Sequence, residues 1–548
     1  MVRRLLSFLE REIRGLHEAA YLLAGFTFLS QVLALVRDRT FAHLFGAGTI
    51  LDMYFAAFRI PDLVFAFLTL FVSSFALVPL LSGRTKEEQG SFIGSILFLF
   101  GIGAVMGTAL VYVCLPILMP ILIPGFSGEA QAQTLELARI MLLQPFLLGL
   151  SSIAASVVQA SRKFVLFAIA PILYNIGIIV GSLFLFPVIG ITGLAWGVVL
   201  GALMHLLIQS IPLVRARSDL KLSIRIPALL ATLREVVVPS VPRAAALMSN
   251  QALLVVFASI ASVISVGAVS ALSFGFNLQS VPLTVIGVSY AAALFPALAA
   301  LAAKSDFNAL AEEVWTCVRH LAFWLLPATT FFIILRAHIV RVVLGSGAFS
   351  WDDTRLTAAI LGLFAVSLFA QALILIFSRA YYALGKTAFP IIINVGGALS
   401  IAVAAYTLTG FVAEHPFLKT LVEVLFRVSD VEGTGVLMIP LSYTVITTIT
   451  ALIFALAFSA KYGKANIGMS LSTSFSASVI GAFGAYGTLQ FFGPLLPTYT
   501  FLGIFAQGAL AGLAGLTLWV FVLWLMKSQE LNDVIALVWS RLVRAPLT

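Results

Sequence analysis

Apolar residues fill this chain in long runs, and most polar residues fall between the runs rather than alternating within them. A helix that crosses a bilayer needs about 20 mostly apolar residues. On that ruler the pattern predicts about fourteen spans, at 20–44, 48–82, 91–118, 131–159, 164–187, 190–214, 234–263, 267–301, 315–335, 354–383, 387–410, 436–460, 468–493 and 500–526. The second and eighth are long and contain Pro61 and Pro282, where kinks are expected. The fold class that follows is an all-α polytopic membrane protein.

Composition agrees. Of 548 residues, 61% are hydrophobic and 10% charged, against about 25% charged in a soluble domain. The net charge of +9 would suggest nucleic acid in a soluble protein. Here the basic residues crowd into short loops, such as Arg84 and Lys86, Arg162 and Lys163, and Arg379 and Lys386. That bias reads as topology, with no nucleic-acid partner and both termini in the cytoplasm. Met1 to Glu18 interleaves Arg3, Arg4, Arg11 and Arg14 with leucines, the pattern of an amphipathic helix on the cytoplasmic surface. Cys114 and Cys317 have no zinc spacing and are too far apart in sequence to argue for a disulfide.

The stretch after Arg215 carries Leu220, Leu222, Ile224, Ile226, Leu229, Leu230 and Leu233, a surface-helix pattern that separates six spans from the rest. Gly46-Ala47 precedes Pro61 by the same interval as Gly267-Ala268 precedes Pro282, a faint internal repeat. The expected organisation is a cytoplasmic amphipathic N-terminus (1–19), an N-lobe of six spans (20–214), an amphipathic linker (215–233), a C-lobe of six spans (234–460) and two last spans with a cytoplasmic tail (461–548). An insertion at 411–435 interrupts the C-lobe. Its segment from Glu414 to Glu432 mixes apolar residues with acids and bases and is expected to rest on the outer membrane surface.

The chemistry concentrates between Ser30 and Asp62, where Arg37, Asp38, Arg39, Asp52, Arg59 and Asp62 lie among apolar spans. A charge at membrane depth costs roughly 2.5–3.5 kcal/mol on insertion scales. Such residues persist where they face water, a partner charge or a polar substrate. Arg37 and Asp38 point about 100° apart on a helix and need not pair. Arg59 and Asp62 can meet on one face, as can Asp52 and Arg59 two turns apart. The alternative is a set of charges that brace one another and pin a bend. Arginine suits phosphate because its planar fork donates two hydrogen bonds at once. In the seventh span Arg243, Asn250 and Gln251 form a polar seam, and Asn277, Gln279 and Ser280 another in the eighth; each reads equally well as packing between helices. No GxSxG, P-loop or HExxH occurs, so neither catalysis nor a metal site is expected. Transport would then draw on membrane potential, an ion gradient or the substrate's own gradient.

Ser30-Gln31-Val32-Leu33, Val36-Arg37-Asp38, Phe45-Gly46-Ala47-Gly48, Asp52 and Ala57-Phe58-Arg59-Ile60-Pro61 together resemble the opening signature of the MurJ (MviN) family. These are lipid II flippases of the multidrug/oligosaccharidyl-lipid/polysaccharide exporter superfamily. Ala170 to Gly177, Gly193 to Gly197, Pro242-Arg243 and Arg379 to Thr387 are similar too. The resemblance implies two pseudo-symmetric six-helix lobes around a cationic cavity, with two C-terminal helices beside them. It also implies alternating access that carries an undecaprenyl-pyrophosphate-linked peptidoglycan precursor across the bacterial inner membrane, in the company of membrane lipids and cell-wall synthesis enzymes. By resemblance, Arg37 and Arg59 contact pyrophosphate, with Arg243, Gln31 and Asn277 as further substrate positions. Asp38 and Asp52 orient or gate by the same resemblance, and Ser30, Asn250 and Gln251 are further candidates for orienting or gating. The sequence departs from the family pattern at three places: Gln31 and Asn277 stand where arginines are usual, and Asp62 to Ala66 lacks the usual arginine pair. Those losses keep two other readings open, export of a different isoprenoid-linked glycan or amphiphile, and a scaffold for envelope assembly.

Overall fold

The computed structural model describes residues 16–215, 226–463, 467–497 and 500–543. Most of the predicted N-terminal helix, most of the amphipathic linker and the end of the tail lie outside them. The described residues form helices and connecting turns, with no strand among them. Eleven of these helices are long and apolar enough to cross a membrane, or twelve if the bent pair 351–366 and 368–383 (42°) is one span. Two further long helices, Leu16–Phe45 and Gly468–Phe492, lie where the sequence places spans 1 and 13.

The chain divides into two compact units, Met1–Ser270 and Ala271–Thr548. The first holds α1 (Leu16–Phe45), α2 (Thr49–Val72), α3 (Ser74–Ser82), α4 (Lys86–Leu122), α5 (Gly128–Met141), α6 (Leu143–Ala160), α7 (Phe164–Val180), α8 (Phe186–Ile189), α9 (Thr192–Arg215) and α10 (Ile226–Ile264). The sequence reading begins the second lobe at 234, yet α10 is grouped with the first unit. It packs on α2 and α4. Arg84 pairs with Glu235 at 2.6 Å, and the Gly125 N–H donates to Ser262 Oγ at 3.2 Å. A Cβ on Gly125 would lie 1.9 Å from the Ser262 carbonyl oxygen, so this approach requires glycine.

Backbones also touch along α7 and α9. A Cβ on Gly177 would sit 2.3 Å from Gly201 Cα, and one on Gly181 2.4 Å from Gly197 Cα. Small residues four apart on facing helices let membrane helices approach this closely, gaining dispersion contacts where lipid offers no hydrophobic drive. The outward face of α4 carries Met106, Leu110, Val113, Ile117 and Ile121, all exposed. So much exposed apolar surface fits a lipid solvent.

Pro61 lies inside a continuous helix. α2 runs through Pro61 to Val72, and the helix breaks at Ser73, whose backbone is extended (φ −63°, ψ 112°). At Pro282, α11 (Ala268–Pro282) passes into a π-helical stretch, Leu283–Val288. Proline leaves a carbonyl of the preceding turn without its usual N–H donor, and a change of helix type is a common accommodation.

The second unit continues with α12 (Ser289–Ala303), α13 (Phe307–Ile334), α14 (Arg336–Val343), α15 (Trp351–Val366), α16 (Leu368–Ala383), α17 (Ala388–Glu414), α18 (Pro416–Phe426), α19 (Met438–Tyr462), α20 (Gly468–Phe492), α21 (Phe501–Leu525) and α22 (Gln529–Val543). Asp306 caps α13 by accepting from the Ala309 N–H at 3.1 Å, and Ser350 with Asp353 forms a reciprocal capping box at α15. The core of this unit is aromatic, built on Trp315, Phe377, Tyr381, Phe454 and Phe458. Both cysteines are free thiols.

Candidate functional site

The charges of the opening segment divide between two places in the first unit. On α1, Arg37 does pair with Asp38: Nη2 and Nε donate to Oδ1 at 2.8 and 3.0 Å. Helical angles leave this pair optional, and it forms because the arginine stem is long enough to fold back along the helix surface. Arg37 Nη1 also donates to Asn175 Oδ1 on α7 at 3.1 Å, and Asn175 is itself held by donating to the Pro171 carbonyl at 3.0 Å. The Arg37 side chain keeps 19% of its surface exposed, whereas Asp38 keeps 3%. A carboxylate and an amide therefore fix the guanidinium, and part of its fork stays accessible.

Arg59 and Asp62, three residues apart on α2, interact electrostatically. Gln144 on α6 donates from Nε2 to Asp62 Oδ1 at 3.3 Å. Gln144 is 2% exposed, and its Oε1 has no hydrogen-bond partner among the described residues. Tyr54 and Tyr174 lie within electrostatic reach of both Arg37 and Asp62, which joins the two charge pairs into one cluster. The Tyr174 hydroxyl is buried with no hydrogen-bond partner among the described residues. Two guanidiniums, two carboxylates, two amides and two phenols thus meet among helices that are otherwise apolar. Such a set can bind an anion by exchange, or orient a polar group that both donates and accepts.

Asp52 belongs elsewhere. It is buried on α2, and its carboxylate accepts from the Gly267 N–H at 2.6 Å, the Ser270 N–H at 2.8 Å and Ser270 Oγ at 2.5 Å. The sequence places it on one helical face with Arg59; in the structure its carboxylate is seated at the start of α11. Unpartnered N–H groups and the positive end of the helix dipole make that a strong seat for a carboxylate. Gly267 there takes φ +86°, and Gly46, its counterpart in the faint repeat, takes φ +62°.

The remaining candidates lie elsewhere on α1, on α10 and in the second unit. Ser30, Gln31 and Arg39 are half-buried on α1. On α10, Arg243 and Asn250 are exposed, and Gln251 has a buried Oε1 without a partner among the described residues. Asn277 is half-buried in the second unit, where its carbonyl accepts from Ser280 Oγ at 2.7 Å. Nearby Gln279 accepts from Gln371 Nε2 at 3.1 Å, an internal amide pair. His205 packs against Ser151, with Nδ1 2.7 Å from Oγ. Gln144 and Tyr54 escaped the sequence reading. The available signal was a lone amide in an apolar helix for Gln144, and for Tyr54 a position two residues past Asp52.

The fold is one seen in solved transporters of the MOP superfamily. A solved inward-facing multidrug resistance MATE family transporter of that superfamily superposes with TM-score 0.63 at 16% identity, covering 79% of this chain and 95% of its own. The lipid II flippase MurJ in an inward closed conformation superposes with TM-score 0.72 at 22% identity, covering 94% of this chain and all of that one.

Within that class the chain belongs to the lipid II flippase MurJ family, whose family model matches residues 41–413. Relatives include the lipid II flippase MurJ of Burkholderia cenocepacia, 26% identical over 405 residues (70% of this chain, 76% of that protein). The probable lipid II flippase MurJ of Bdellovibrio bacteriovorus is 29% identical over 410 residues (71% and 75%). That of Rickettsia prowazekii is 25% identical over 382 (69% and 75%).

Proposed function

We propose that this protein moves lipid II, the undecaprenyl-pyrophosphate-linked peptidoglycan precursor, from the inner to the outer leaflet of the bacterial cytoplasmic membrane. The observation that carries the reading is the Arg37–Asp38–Asn175 and Arg59–Asp62–Gln144 cluster within apolar helices of a flippase-family chain. A polar headgroup must pass about 30 Å of hydrocarbon. Alternating access gives it a hydrated path while its lipid tail stays in the bilayer. Pyrophosphate would take the open side of the Arg37 fork and compete with Asp62 for Arg59. Both termini would lie in the cytoplasm, with membrane potential or an ion gradient as the energy source and cell-wall synthesis enzymes as partners.

The test is complementation in cells depleted of their own flippase. Rescue by the wild type and its loss in Arg37→Ala support the proposal. Failure of a correctly inserted wild type to rescue sinks it. A second reading, export of another isoprenoid-linked glycan, is favoured by one observation: Asp38 and Asn175 already occupy Arg37, while Gln31 and Asn277 carry no charge. It predicts that inorganic pyrophosphate will not compete for the substrate site.

A further inference from the structure

α18 stands just beyond the family match, which ends at residue 413. At 100° per residue its side chains fall on three faces. Leu418, Val422 and Phe426 are half-buried. Lys419 and Glu423 make a polar edge, their charges 3.8 Å apart, and Glu423 also accepts from Thr434 Oγ1 at 2.5 Å. The third face is Phe417 (78% exposed), Leu421 (55%), Val424 (61%) and Leu425 (71%), with no charge on it.

The far end of the helix is clamped. Arg427 adopts the left-handed conformation (φ 59°, ψ 47°), ending α18. Its carbonyl accepts from Arg355 Nε and Nη2 at 3.2 and 2.6 Å. Arg355 also pairs with Asp430, with Nη1 2.7 Å from Oδ2. The Arg336 guanidinium lies 5.8 Å from the Phe426 ring centre. α18 is thus tied by its inner side to the N-terminal end of α15, with its apolar face turned outward.

We propose that this face docks on the lipid bilayer, making α18 an interfacial brace that holds the end of α15 at the membrane surface. Three observations choose lipid over protein. α17 spans 27 residues, about 40 Å of helix, more than the roughly 30 Å of hydrocarbon, so its end reaches headgroup level. Only His415 separates α17 from α18, which fixes the depth of Phe417. Leu399, Val403 and Tyr406 form an exposed apolar stripe on α17, and Phe411, near its end, is exposed as well. The acidic residues Glu414, Glu423, Asp430 and Glu432 outnumber Lys419 and Arg427, so attachment is apolar and needs no anionic lipid.

The experiment replaces Cys114 and Cys317 with serine and places single cysteines at 425 or 420, each labelled with an environment-sensitive fluorophore. The full-length protein is reconstituted in phosphatidylcholine nanodiscs. The expected result is that a shallow lipid nitroxide quenches the 425 label, which a water-soluble nickel chelate does not reach. The 420 label shows the reverse, and neither responds to salt. In Leu421→Glu/Val424→Glu the 425 label should lose its lipid contact and open to the chelate. Access of the chelate to position 425 in the wild type overturns the proposal. So does shielding that grows with protein concentration, which marks a second copy, or shielding found only in native membranes, which marks a protein partner. None of these outcomes depends on what the protein transports.

Discussion

Replacing Asp52 tests the link between α2 and the start of α11. Its carboxylate accepts three hydrogen bonds, from the Gly267 and Ser270 N–H groups and from Ser270 Oγ, and the residue is 2% exposed. A hydrogen bond to a charged group contributes about 1.5–3 kcal/mol, and a buried donor left unpaired costs about 1–3 kcal/mol. The three bonds share one carboxylate and are not additive, so Asp52→Ala should destabilise by about 4 kcal/mol. In Asp52→Asn one oxygen still accepts, but the amide NH2 meets an N–H donor, which leaves a loss of about 2 kcal/mol. Ser270→Ala removes only the hydroxyl contact and should cost about 1 kcal/mol. Gly267→Ala should rank with Asp52→Ala, because its Cβ would lie 2.3 Å from the Ala47 carbonyl oxygen at a φ of +86°. The assay is thermal unfolding of the reconstituted protein followed by tryptophan fluorescence. The predicted order of loss is Asp52→Ala, then Asp52→Asn, then Ser270→Ala. An Asp52→Ala protein that unfolds with the wild type, or a Ser270→Ala protein that unfolds before it, would refute the reasoning.

Gly181→Val should prevent the π-helical stretch that continues α7 (Gly181–Leu185) from closing on α9, since its first side-chain carbon alone would sit 2.4 Å from Gly197 Cα; the reconstituted variant should be poorly folded by limited proteolysis. Asn175→Ala should leave Arg37 held by Asp38 alone and weaken rescue in the depletion strain, with membrane insertion unchanged. Asp62→Asn should raise pyrophosphate affinity and slow turnover, because a competing carboxylate is gone from Arg59; unchanged binding would argue against exchange at that arginine. Arg355 holds the Asp430 carboxyl down at about 2, from an ordinary 3.8. A depressed carboxylate contributes above its unfolded value and loses that contribution as pH falls through the folded one. The clamp on α18 should therefore be unchanged from pH 8 to pH 5 and fail only as pH drops from about 4 toward 2, read as chelate access at position 425.

Hydropathy was enough to place the spans because solvent acts on every residue of a helix at once. The expected limits 436–460 and the observed 434–462 differ by two residues at each end. Single contacts were not legible in the same way. Asp52 and Arg59 share a helical face, yet the carboxylate turned to N–H groups more than 200 residues away, which local spacing cannot reveal. The Cβ directions of Arg37 and Asp38 leave their pairing open, and the reach of the guanidinium decides it. The break after α2 at Ser73 carried no proline signal, while Pro61 stays inside the helix, because proline removes one hydrogen bond without ending a helix that neighbours support. Gln144 carried too little signal alone; it gained meaning when folding set it beside Asp62.

The pairing of each arginine with its own carboxylate bears on how transport could work. An unneutralised arginine at membrane depth costs roughly 2.5–3.5 kcal/mol, and Asp38 offsets that cost while the site is empty. A phosphate arriving at Arg37 would therefore exchange for an existing partner and would not fill a vacancy, so its net gain is much smaller than the full strength of a guanidinium–phosphate pair. Weak net binding suits a flippase. A substrate held by the whole strength of bare arginines would leave slowly on the far side, whereas one held by exchange is released when the carboxylate returns. Gln31 and Asn277, standing where the family pattern has arginine, shift the balance further the same way. On the proposed function, such a site would depend less on the number of cations than on how readily Asp38 and Asp62 give up and regain theirs.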